Sequence, residues 1–85
     1  MLEIKGLVEG EKGEIISGAL VALEEGTSPF PDMALSTDTE GHFTIYLPIG
    51  HFRLAAYSQD GRHGTVEYNS STNTPLVIRL NPIKE

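Results

Sequence analysis

The sequence predicts an all-β domain, a seven-stranded β-sandwich. Three observations predict it. Apolar residues recur at every second position in several short runs, as in Phe43, Ile45, Leu47 and again in Phe52, Leu54, Ala56. Glycine- or proline-bearing turn segments separate these runs at short intervals. No stretch carries the three- and four-residue apolar spacing of an amphipathic helix at helical length. The whole of residues 1–85 is expected to form one domain around a single core, with no room for a deep cleft.

The central stretch, Ser36 to Leu54, organises the rest. Asp38-Thr39-Glu40-Gly41 has an acceptor side chain first and glycine last, which suits a type I turn with Asp38 accepting the backbone amides ahead of it. The strand that follows, β4 (42–47), points Phe43, Ile45 and Leu47 inward. Leu47-Pro48-Ile49-Gly50 is a second turn, and β5 (about 51–58) then alternates Phe52, Leu54, Ala56 against Arg53, Ala55, Tyr57.

The other strands follow in order. Residues 2–9 alternate and give β1, with Ile4 and Val8 inward. Gly10-Glu11-Lys12-Gly13 is a turn, and Ile15-Ile16 is a short apolar patch. Residues 19–24 are apolar on both faces and poor in β-branched side chains, so local propensity alone allows a helix. Gly18 and Gly26 confine that run to a length at which isolated helices are marginal, and it reads as β2 with Ala19, Val21 and Leu23 inward. Glu25 to Asp32 is a loop that holds Phe30 between two prolines, and Met33 to Thr37 is a short β3. Gln59-Asp60-Gly61-Arg62 signals a hairpin with a tight primed turn, leading to β6 (about 63–68) with Val66 and Tyr68 inward. Leu76, Ile78 and Leu80 face inward from β7, which Asn81-Pro82 ends.

Composition narrows the function classes. Twelve acidic residues against six basic ones give a formal net charge of −6, and the basic side chains are dispersed. Nucleic acid is therefore not an expected partner, because phosphate neutralisation needs clustered Lys and Arg. Direct insertion into a membrane is not expected either, since no apolar run approaches the length of a span. The chain has no cysteine, hence no disulfide and no thiolate chemistry.

In sequence, the segments Ile4-Lys-Gly6-Leu-Val8, Gly18-Ala19-Leu-Val21, Thr37-Asp38-Thr-Glu-Gly41-His-Phe43 and Leu47-Pro48-Ile-Gly50-His-Phe52-Arg-Leu54 resemble the carboxypeptidase regulatory-like domain over nearly the whole chain. That resemblance implies a transthyretin-like (prealbumin-like) Greek-key sandwich with sheets β4-β1-β7 and β3-β2-β5-β6. It also implies that the Asp38 and Pro48 turns are arches crossing between sheets. Functionally it implies an extracellular, periplasmic or cell-surface accessory module of a larger exported protein. Such modules are non-catalytic, support folding or protein binding, and need no cofactor. If the protein is exported, Met1 marks the start of a cut-out domain. Transthyretin-like hydrolases of the same sandwich end in Tyr-Arg-Gly-Ser, whereas this chain ends Asn81-Pro82-Ile83-Lys84-Glu85, so their activity is not expected.

Residues that could carry chemistry have plainer readings. His42, His51 and His63 lack the close spacing of zinc ligands, and no metal site is expected. The Asp38 turn opens like a calcium loop but lacks the later acidic ligands, so it reads as a turn cap. Lys5 and Asn81 lie on the first and last strands, as in isopeptide-forming adhesin repeats, but Lys5 alternates outward. Asn69-Ser70-Ser71 matches a glycosylation acceptor. The strongest candidate is a docking surface for a neighbouring domain or protein partner. It comprises Leu20, Ala22, Ala55 and Tyr57 on one outer face, unless Arg53 and His63 cover them, together with Phe30, which is either an exposed anchor on its loop or a plug for the sandwich end. A carbohydrate-binding module using Tyr57, Tyr46 or Phe30 as a sugar platform is the alternative.

Overall fold

The structure is a computed structural model and describes residues 2–26, 34–72 and 74–82. Its strands are β1 (Leu2–Glu9), β2 (Leu20–Gly26), β3 (Ala34–Ser36), β4 (His42–Leu47), β5 (His51–Tyr57), β6 (His63–Asn69) and β7 (Leu76–Arg79). Among the described residues there is no helix. The strands form two sheets, β4-β1-β7 and β3-β2-β5-β6, the order expected above.

Alternation decides which side chains meet. In β4 the odd-numbered residues Phe43, Ile45 and Leu47 are buried, while His42, Thr44 and Tyr46 are exposed. With Ile4, Val8, Leu76, Ile78 and Leu80 they form one inner face. Ala19, Val21, Phe52, Leu54, Ala56 and Tyr68 supply the other side of the same core. Leu23 and Val66 are half-buried against it, as their parity requires. Ile15 and Ile16 divide, since Ile16 is buried and Ile15 is exposed.

The ambiguous run at β2 is a strand because it has partners on both sides. It pairs antiparallel with β3 through Val21↔Leu35 and with β5 through Val21↔Ala56. An extended run apolar on both faces suits a central strand better than a short helix. Its register with β5 slips between Leu23 and Glu25, leaving Glu24 as the extra residue of a bulge. The predicted β3 started at Met33, which lies outside the described residues, as does Phe30. Thr37 follows β3 and is buried, where its hydroxyl donates to Ile16 O (3.0 Å) and accepts the Ala19 N–H (2.9 Å).

The connections cross as the arched topology requires. β3 passes to β4, and β4 to β5, by moving from one sheet to the other. Asp38 Oδ1 accepts the amides of Glu40 and His42, each at 2.9 Å, and Gly41 closes that turn with a φ of 79°. The Pro48 arch is tied down by Ser70, whose hydroxyl donates to Pro48 O (2.7 Å) and accepts the Gly50 N–H (2.9 Å).

The β5–β6 hairpin forms where Asp60-Gly61 marks it, but its turn is of another type. A type I′ turn needs positive φ at both central residues and a type II′ turn needs it at the first, which would be Asp60. Here only Gly61 has it, at 93°, and no non-glycine residue does. Gly61 N–H bonds Ser58 O (3.2 Å) and Ser58 N–H bonds Arg62 O (2.8 Å), the pattern of a three-residue loop built on a type I turn with a glycine bulge. Asp60 favours this form because its carboxylate has local partners in Ser58 Oγ and the Arg62 guanidinium. These two hydrogen bonds, Ser58 first, hold the Asp60 pKa down to about 2.

Candidate docking face

The outer face of β3-β2-β5-β6 is built in rows set by strand register. Ser36, Leu20, Tyr57 and His63 form one row, and Ala34, Ala22, Ala55 and Thr65 the next. Glu25, Arg53 and Glu67 form a third. Leu20 and Tyr57 are direct cross-strand partners, as are Ala22 and Ala55, so four of the predicted residues share one patch. Leu20 is 45% and Tyr57 41% exposed, and Ala22 is half-buried.

Ala55 departs from the expected exposure. It points outward by parity and stands outside the core cluster, yet none of its surface is exposed. Tyr57 explains this. Its Oη donates to Glu24 Oε2 at 3.2 Å, on the far side of the Ala22–Ala55 row from its own backbone. The side chain therefore spans that row, in which Ala55 is buried. Desolvation there, with the neighbouring Glu24 carboxylate second, raises the phenol pKa. His63 stacks beside the ring with centroids 6.2 Å apart and planes 18° from parallel. The accessible patch is thus a Leu20–Tyr57–His63 ridge rather than four separate apolar groups.

Arg53 does not drape over the patch. It is held between Glu25 (2.9 Å) and Glu67 (3.2 Å), making a charged fence along one border. These pairs are exposed and contribute little stability, but they fix the orientation of the guanidinium. Beyond the fence is a shallow groove of about 240 Å³ lined by Glu25, Gly26, His51, Phe52, Arg53 and Glu67. The face thus has an apolar centre, Leu20 and Tyr57, with a charged border at Glu25, Arg53 and Glu67.

The remaining candidates do not converge. His42 lies on the other sheet from His51 and His63, which sit at opposite ends of the β5–β6 ladder. Among the described residues no group of three His, Cys, Asp or Glu side chains could hold a metal ion. Asp38 is occupied as a turn cap, and the His42 and Glu40 amides, in that order, lower its pKa. Lys5 is exposed, unlike the buried lysine an isopeptide bond requires. Asn69 Oδ1 accepts from the Ser71 amide (3.0 Å) and hydroxyl, and its Nδ2 lies 3.3 Å from His51 Nε2. Tyr46 faces outward from the three-stranded sheet, where its hydroxyl donates to Glu3. Tyr46 and Tyr57 therefore occupy opposite faces and form no common platform. Phe30 lies outside the described residues.

Sequence reasoning found the face but missed its bulge. Glu24 reads as one of two adjacent surface acids, with nothing to mark it as the extra residue that meets Tyr57. No protein-family model matches the chain, and no curated protein matches it.

Proposed function

We propose that this chain is a non-catalytic interaction module. Through the Leu20–Tyr57–His63 ridge it docks a neighbouring domain or a protein partner in a larger exported or surface protein. One observation carries the reading: two large apolar side chains, Leu20 and Tyr57, stand side by side and over 40% exposed on a flat sheet face bordered by fixed charges. Flat apolar ridges with polar rims suit protein partners. The exported or cell-surface setting and the carboxypeptidase regulatory-like assignment rest on the four sequence segments alone.

Site-specific photo-crosslinking in the native host tests this reading. A crosslinker at position 20 should give one discrete adduct that weakens in a Tyr57→Ala background, while a crosslinker at position 5 on the opposite sheet should not give it. Adducts that do not depend on position, or none from position 20, would overturn the reading. Saturable glycan binding lost on Tyr57→Ala would replace it with the carbohydrate alternative.

A further inference from the structure

A sandwich of two open sheets has four edge strands, and here three are blunted. Over the described residues β3 spans only Ala34–Ser36. β6 carries Glu67 and folds against β7, where Gly64 abuts the Arg79 carbonyl and the Asn81 N–H bonds His63 O (2.9 Å). β7 is four residues long, carries Arg79 and meets β6 at that seam. Short length, charge and cover are the ordinary protections of an edge.

Among the described residues β4 has none of them. It is six residues, His42-Phe43-Thr44-Ile45-Tyr46-Leu47, with no Asp, Glu, Lys, Arg or Pro. It is the one strand of four or more residues without a charged side chain, in a chain of net charge −6. It is also rich in aromatic and β-branched residues, which favour strand pairing.

The backbone shows which groups this edge offers. Val8 N–H bonds Gly41 O (2.8 Å), so the odd-numbered residues of β4 turn their backbone groups toward β1 and the even-numbered ones turn away. His42 is already satisfied, since its N–H bonds Asp38 Oδ1 and its carbonyl accepts the Asp38 N–H, each at 2.9 Å. Thr44 and Tyr46 remain, and among the described residues no strand pairs with that side.

We infer that β4 is a self-association edge, whose occupant is β4 of a second copy of this chain. The spacing of the two outward residues is self-complementary. An antiparallel approach with its two-fold axis at Ile45 places each Thr44 opposite Tyr46 of the second copy, and each such pair exchanges both backbone hydrogen bonds. Thr44 and Tyr46 then meet on the outer face as a β-branched–aromatic cross-strand pair. The choice of occupant follows from charge. Two copies of an acidic chain repel least where the approaching strands are neutral, and β4 is that place. Because the contact is isologous and the other edges are blunted, assembly stops at a dimer whose sheet runs β7-β1-β4-β4-β1-β7.

An edge contact of this kind is small, so its dimer forms at roughly 10 µM to 1 mM. Sedimentation velocity on the intact chain across that range should show a monomer passing to a dimer. Thr44→Pro and Tyr46→Pro each remove an outward amide and should weaken the dimer at least tenfold. Tyr57→Ala should leave it unchanged, which separates this edge from the docking face. Should the proline variants fail to fold, hydrogen exchange on the unaltered chain decides: the Thr44 and Tyr46 amides should exchange at least tenfold more slowly in concentrated than in dilute solution. A monomer throughout, a dimer indifferent to both prolines, or amides whose exchange ignores concentration would each overturn the inference.

Discussion

On one flank of the sandwich β6 and β7 are drawn together until no Cβ fits at Gly64, whereas on the other β3 and β4 make little contact. The sealed flank closes backbone to backbone, through Gly64 against Arg79 and Asn81 N–H on His63 O (2.9 Å). On the open flank the Thr37 and Asp38 side chains add to the main-chain bonds that pin the crossing between β3 and β4. A seam of main-chain contacts tolerates no added atom but leaves nothing exposed. A flank held by a few polar ties tolerates change and leaves a strand edge accessible.

The comparison breaks most sharply at Gly64. A Cβ there would collide with the Arg79 carbonyl oxygen, which is backbone and cannot rotate aside. Gly64→Val should cost about 3 kcal/mol or more, a large share of a small domain's stability, as read by urea unfolding. On the open flank, Thr37→Val keeps the shape but removes both hydroxyl bonds, leaving the buried Ala19 N–H and Ile16 carbonyl without that partner. We expect a loss of about 2 kcal/mol and faster exchange at the Ala19 amide. Ser70→Ala releases the Pro48 arch from the end of β6 and should cost about 1 kcal/mol, with the Gly50 amide losing protection.

The smallest effect belongs to Asp60, in the exposed hairpin that feeds the sealed flank. Its folded pKa of about 2 lies below the ordinary 3.8. Its contribution is therefore present above about pH 4 and fades as the pH falls toward 2. Asp60→Asn should lower thermal stability slightly above about pH 4, and the difference from the unaltered chain should fade as the pH falls toward 2.

Most of the strand pattern was legible, for a physical reason: a half-buried strand must alternate, and β4 does so without exception. Turn chemistry was legible where a side chain acts locally, as Asp38 does. It misled at Asp60-Gly61, because dipeptide preference does not include the local partners that favour a type I turn there. The sheet order came from family resemblance, since alternation says nothing about which strand lies beside which. Thr37, Ser70 and Gly64 carry no pattern at all. Each matters only through a partner distant in sequence, such as Ile16, Pro48 or Arg79. The outer face of β3-β2-β5-β6 was half legible: parity put Leu20, Ala22, Ala55 and Tyr57 together, but the bulge at Glu24 and the reach of Tyr57 to it depend on register.

The pairing of β1 with β7 has a mechanical meaning. These strands run parallel, in register from Gly6↔Leu76 to Glu9↔Arg79. Tension entering ahead of β1 and leaving beyond β7 pulls them lengthwise in opposite directions, so the ladder between them is loaded in shear. Rungs loaded in shear share the force and resist together, where a hairpin peeled from its end would yield one rung at a time. The geometry suits a link that must transmit a pull without unravelling.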